Sequence, residues 1–308
     1  MNVRHVRLIA SYSARYSVRG GIGLVFLLLS LTFGLIVAHS MLQPVEIAAA
    51  EFSKRARNAD QQEARERALE VITEQAHPIV AWMLTPGGSA APDAATKAAA
   101  DDWADYLLQD RPALLSAIFL ILLFGWPFVL AFGAFDLFAG DIGSRQLRYQ
   151  LLRADRSSIF FGRLLGLLIT FVCVLLLLGV TVTAYMGLKL SVYSWPALLG
   201  WSAYGTLALV VVSLPYVALC AWLSVSFGSS FASLTFASLV IGGVPLFAML
   251  GRSQWEPAGY LSYVLPWGFQ TRLFHHEPLQ VALAVGGCAL QTALFTWLGH
   301  RKFTRRDL

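Results

Sequence analysis

The stretch Ala113–Phe135, ALLSAIFLILLFGWPFVLAFGAF, carries no charged side chain. An α-helix needs about 20 mostly apolar residues to cross roughly 30 Å of hydrocarbon. In that solvent every backbone N–H and C=O must be paired within the protein, and a helix achieves this within one segment. The stretch therefore reads as a membrane span. Five more stretches read the same way: Gly21–Leu42, Leu164–Gly187, Ala197–Leu223, Phe231–Leu250 and Val281–Leu298. Pro127, Pro215 and Pro245 fall inside spans, where proline kinks are tolerated. The expected fold class is all-α, a polytopic membrane protein with six transmembrane helices.

Composition agrees. The chain is 57% hydrophobic and 13% charged, against about 25% charged for a soluble domain. Its mean hydropathy is +0.62. The three cysteines, Cys173, Cys220 and Cys288, each lie in an apolar stretch. An odd count without short spacings predicts small packing residues rather than disulfides or a metal cluster. The first apolar run is long enough to span and has no obvious small-residue cleavage site after it, so it reads as a retained anchor.

The formal net charge is +5, but placement matters more. Arg4, Arg7, Arg15 and Arg19 precede the first span. Arg145, Arg148, Arg153, Arg156 and Arg163 follow the second, and Arg301, Lys302, Arg305 and Arg306 follow the sixth. Only Lys189, Arg252 and Arg272 occupy short connections on the other side. By the positive-inside rule both termini are expected in the cytoplasm. Segment 43–112 then lies outside. Its seven basic and twelve acidic residues do not overturn this, because long loops translocate largely regardless of charge. Glu46–Ala76 is rich in Ala, Glu and Arg and reads as helix. Pro86-Gly87-Gly88 breaks it, and Asp93–Gln109 is a second arm, giving an external helical hairpin. Docking surface and spacer are both open readings of it. Segment 251–278 is crowded with Trp255, Tyr260, Tyr263, Trp267 and Phe269. It predicts short helices at the outer interface, as an aromatic belt or a gate.

Much chemistry is missing. The chain has no G-x-x-x-x-G-K-[ST], no H-E-x-x-H and no G-x-S-x-G. His275-His276 is the one histidine pair, and neighbours on a helix diverge, which is weak metal geometry. No span carries a central charge; Asp136 sits at the end of the second. Ion-coupled transport normally marks itself by such charges. Neither catalytic, cofactor nor metal residues are expected in this chain, nor contact with nucleic acid.

Two basic segments remain. Residues 1–20 read as an amphipathic helix, with Arg4, Arg7, Ser11, Arg15 and Arg19 on one face and Val6, Ile9, Ala10 and Tyr16 on the other. That pattern suits a helix lying at the membrane interface against anionic lipid, or a simple basic flank that sets topology. Segment 139–160 places arginines among Leu147, Tyr149, Leu151 and Leu152. It offers apolar contacts together with charge-assisted donors, and Asp155 is placed to cap the helix entering the third span.

This second segment resembles the ABC-2 type transporter permeases. Their pattern after the second span is close to A-G-[ED]-x-x-[SD]-[GR]-T-L-R-Y-L-L-x-R-x-x-R-x-S-I-x-x-G-K. The matching residues are Ala139-Gly140-Asp141, Ser144-Arg145-Gln146-Leu147-Arg148-Tyr149, Leu151-Leu152-Arg153, Arg156, Ser158-Ile159 and Gly162-Arg163. The tail Phe303–Leu308 is also similar to the family's ending. Arg163 stands for the usual lysine and Gln146 for a threonine, and a proline before the second arginine cluster is missing. The long hairpin is similar to that of the subgroup seen in copper-enzyme maturation and in gliding or pilus-associated systems. The resemblance implies a coupling helix built from Asp141, Arg145, Leu147, Arg148, Tyr149, Leu151, Leu152, Arg153 and Arg156, seated in a separate ATPase. It implies an N-terminal elbow helix carrying Arg4, Arg7, Arg15 and Arg19. It also implies a working unit of two permeases and two ATPases in a bacterial inner membrane, with ATP and Mg held by the ATPase, and export as the direction. A membrane scaffold or assembly factor acting on a periplasmic protein through the 43–112 hairpin is the alternative. A membrane-embedded enzyme would need a polar constellation within the spans, and none is legible.

Overall fold

The computed structural model describes residues 2–19, 21–55, 61–85, 94–252 and 255–306. Among these, every regular element is helical. In chain order they are α1 Val3–Arg19, α2 Gly21–Arg55, α3 Gln61–Leu84, α4 Ala94–Leu108, α5 Ala113–Ala134, α6 Ala139–Gly143, α7 Leu147–Leu151, α8 Arg156–Leu190, α9 Trp195–Ser226, α10 Ser230–Arg252 and α11 Pro278–Arg305. Between α10 and α11 run three 3-10 helices, Glu256–Val264, Pro266–Gly268 and Gln270–Phe274. Six of the helices, α2, α5, α8, α9, α10 and α11, are long and apolar enough to cross a membrane. The chain is a multi-pass membrane protein, and each expected span lies on one of the six, the second running one residue past the end of α5.

Several span ends are corrected outward. The third begins at Arg156 rather than Leu164, because Asp155 caps it nine residues upstream of the apolar run: Ser158 N donates to its carboxylate at 3.2 Å and Ser158 Oγ at 2.7 Å. These bonds, the hydroxyl's foremost, hold the Asp155 carboxyl below its ordinary value. The first continues from Leu42 through Pro44 to Arg55, carried by the alanine-rich run that follows. Segment 43–112 is helical over most of its described residues. Its helical parts are the end of α2, then α3, then α4. The proposed break at Pro86-Gly87-Gly88 and the start of the second arm at Asp93 lie outside the described residues, as do 307–308 of the tail.

Burial sorts the spans. Of the apolar windows of α9 and α5, 78% and 72% are buried, against 28% in α2, 22% in α11 and 17% in α10. So α5 and α9 form the centre, as expected of helices apolar on all sides, while the others present outer faces. Several polar side chains bond across the helices. Trp126 Nε1 donates to Ser213 Oγ at 2.8 Å, joining α5 to α9. Thr183 of α8 bonds Ser202 of α9. His39 Nδ1 and Tyr185 Oη are 2.9 Å apart, joining α2 to α8. Cys220 and Cys288 are buried packing residues as expected, whereas Cys173 is exposed on α8.

The N-terminal helix forms as expected, with Arg4, Arg7, Ser11, Arg15 and Arg19 all exposed. Its opposite face packs on α8 rather than standing alone. A Cβ at Gly162 would lie 2.7 Å from Ile9 Cβ, and one at Gly166 2.7 Å from the Ala10 carbonyl oxygen. Two glycines four apart thus let α1 press its backbone against α8, as small residues do between membrane helices. Tyr16 is corrected: it is 67% exposed and stacks on Tyr12 rather than joining the packed face.

Candidate functional site

The connection between α5 and α8 is seated from below by buried groups. Phe138 N and Ala139 N both donate to Ser224 Oγ of α9, at 2.8 and 2.9 Å. Asp136 accepts from Gly140 N at 2.8 Å and from the Ser230 hydroxyl, so it ties α5, α6 and α10 together. Phe138 stacks on Phe160 at 5.4 Å and meets Phe303 at 5.2 Å. That floor joins the connection to α8 and to the tail.

Two arginines then hold the pose. Arg163 of α8 pairs with Asp141 of α6, donates to Gln150 Oε1 of α7 and to the Leu137 carbonyl, both at 2.9 Å, and lies over the Phe138 ring. A planar guanidinium suits this work because its donors diverge in a fixed fork. Arg156 donates to the carbonyls of Thr304 at 2.9 Å and Arg306 at 2.7 Å, binding the tail to the start of α8. Between α6 and α7 the chain turns through Arg145 at φ 59°, a left-handed conformation that costs an L-residue about 1–2 kcal/mol. The turn separates the two short helices and aims α7 outward.

The nine residues singled out in this segment consequently divide. Leu147 is buried, Leu151 is half-buried against the core, and Asp141 and Arg156 are engaged within the protein. These four support the segment rather than offer a surface. Arg145, Arg148 and Arg153 are exposed, as are Tyr149 at 74% and Leu152 at 84%. These two apolar side chains and three cations form an exposed knob. The supporting residues Ser224 and Gln150 could not be singled out in the sequence, because serine and glutamine carry no pattern. Gly162 and Gly166 did carry one, their four-residue spacing.

The far end of the bundle is built differently. Trp103 of α4 is buried, donates from Nε1 to the Phe274 carbonyl at 2.9 Å and packs on His275 at 4.5 Å. Tyr106 meets His276 and Trp201, and Arg111 lies over both the Tyr106 and Trp201 rings, at 5.0 and 5.1 Å. The aromatic segment splits accordingly. Trp255 and Tyr260 are exposed, while Trp267 donates to the Ile241 carbonyl and Phe274 is buried. The histidine pair is stacked, with His276 3.7 Å from Asp102. Burial first, then the charge of His276, lowers the His275 pKa. Among the described residues no group of three or more His, Cys, Asp or Glu is set to hold a metal. No protein-family model and no curated protein matches the chain.

Proposed function

We propose that this protein is the membrane-spanning permease subunit of an ATP-binding-cassette transporter, with the knob on α7 as the coupling surface for a separate ATPase chain. The observation that carries this is the division just described. A short helix is clamped from inside by Arg163, and the outer face of this helix and of the turn that follows it consists of Arg148, Tyr149, Leu152 and Arg153. The clamp ties the knob to α6 and α8 and, through the Leu137 carbonyl, to the end of α5, so a push on α7 reaches two spans. An ATPase that binds one arrangement of the spans more tightly than another shifts their populations by that difference in affinity. The working unit comprises two permease and two ATPase copies, with ATP and Mg on the ATPase, both permease termini in the cytoplasm of a bacterial inner membrane, and export as the direction. Here α1 is the elbow helix. The resemblance of segment 139–163 to ABC-2 permeases supports the reading, as does the concentration of arginines at this end.

The test is the double substitution Arg148→Glu and Arg153→Glu. Both side chains are exposed, so stability should change by less than about 0.5 kcal/mol. Copurification of a Walker-motif ATPase from host membranes should fall with it by about tenfold or more, as expected when like charges replace complementary ones. Normal insertion with undiminished ATPase recovery would sink the assignment. The scaffold alternative predicts the reverse: loss of function on removal of residues 61–84, and none from the charge reversal.

A further inference from the structure

The last turns of α9 and α11 line an open cavity of about 540 Å³ at the end of the bundle that carries the tail. Its floor is apolar and half-buried, Trp222 and Leu298, with the Ser226 hydroxyl at its side. Its rim is cationic: Arg301, Lys302, Arg305 and Arg306. Arg306 donates to the Val225 carbonyl at the end of α9 and so is partly committed to structure. Among the described residues, none of the four is in an ion pair.

What fits this cavity is decided by the helix face leading to it. Leu290, Leu294 and Trp297 are 72%, 49% and 53% exposed on α11. Their spacing of four and three residues puts them on one stripe, and Arg301 and Arg305 continue the same stripe at the next two steps of four. Arg301 lies over the Trp297 ring at 5.3 Å, so the last apolar side chain touches the first cation. An apolar track on a spanning helix ending in a basic pocket matches a molecule with a hydrocarbon tail and an anionic head. The geometry points to a binding site for the phosphate of an anionic phospholipid between α9 and α11, with one acyl chain along Leu290, Leu294 and Trp297. The volume lies in the usual range for a small-molecule site, and basic pockets between spanning helices hold such head groups. The site needs only the membrane-spanning helices and is independent of any ATPase.

Native mass spectrometry of the full chain, stripped of lipid in detergent, provides the test. Phosphatidylglycerol, phosphatidylcholine and inorganic phosphate are added in separate arms. The wild-type protein should retain phosphatidylglycerol about tenfold better than phosphatidylcholine, the scale expected from two or more cations at a head group. Inorganic phosphate at the same concentration should leave that retention unchanged. Arg301→Gln with Arg305→Gln should lower phosphatidylglycerol to the phosphatidylcholine level, whereas Arg301→Lys with Arg305→Lys should keep most of the preference. Arg67→Gln with Lys97→Gln, which removes the same charge at the far end, should keep all of it. Equal retention of the two lipids by wild-type protein would overturn the site, and this arm needs no variant to fold. Displacement by inorganic phosphate would overturn the lipid in favour of a free anion. Equal loss in the far-end variant would reduce the effect to net charge.

Discussion

The two ends of the bundle fasten their connections by different chemistry. At one end arginines tie short helices down through directional bonds: Arg163 gathers Asp141, Gln150 and the Leu137 carbonyl, and Arg156 gathers the tail. At the other end rings do the fastening, with Trp103 on His275 and Tyr106 between Trp201 and His276. Directional bonds fix the pose of a small helix while leaving its outer face bare. Ring packing instead covers area and glues one helix to another. The first arrangement suits a lever and the second a platform.

The contrast breaks most sharply at the platform. Trp103→Ala removes a buried ring and orphans the Phe274 carbonyl, so a loss of about 3–5 kcal/mol is expected, read as a lower melting temperature in detergent. Hydrogen exchange should rise in α4 and in the 3-10 helices, and α7 should keep its protection. Faster exchange in α7 as well would mean that the ends are coupled rather than separately fastened.

At the lever, Arg163→Ala leaves Asp141 without its partner. Removing one member of a buried pair costs about 3–5 kcal/mol. Here the side chains retain 13% and 27% exposure, and water screens part of that, so about 2 kcal/mol is expected. The informative reading is local: α7 should lose its fixed pose, visible as faster exchange over residues 141–151, while α4 is unmoved. An α7 that stays protected would show that Leu147 and Ser224 suffice and that the arginine clamp is dispensable.

The smallest effect sharpens the platform's electrostatics. The His275 imidazole sits below its ordinary pKa of 6.5. Below that value the unfolded chain takes up a proton that the folded chain resists, so the stability it contributes is present above 6.5 and lost as pH falls through the folded value. Melting temperature should therefore drop slightly between about pH 7.5 and about pH 5.5, and His275→Gln should flatten that drop. An unchanged slope in the variant would place the titration elsewhere.

How much of this was legible beforehand follows from period and solvent. Each of the six spans announced itself, because a run such as Ala113–Phe135 has no other stable home. Their ends were less legible. Apolar runs mark hydrocarbon, whereas helices end at caps, so α8 starts at Arg156, behind the Asp155 cap, and not at Leu164. Asp155 itself was readable as a cap because it stands next to a helical run. In the candidate site the residue types were readable and their directions were not. Leu147 and Leu152 look alike in sequence, yet one is 1% and the other 84% exposed, because the left-handed turn at Arg145 resets the face that α7 presents. Tyr16 was misplaced for a related reason: α1 is buried by only a narrow strip around Ala10, set by the two glycines of α8.

The central claim is that the bare face of α7 meets an ATPase. A photo-crosslinking residue placed at Tyr149 or at Leu152, in the full chain in host membranes, tests it directly, with Tyr260 as the exposed aromatic control at the platform. The account predicts a crosslinked product with a Walker-motif ATPase from positions 149 and 152, and none from 260. No ATPase product from either lever position, or one arising from 260, would contradict it.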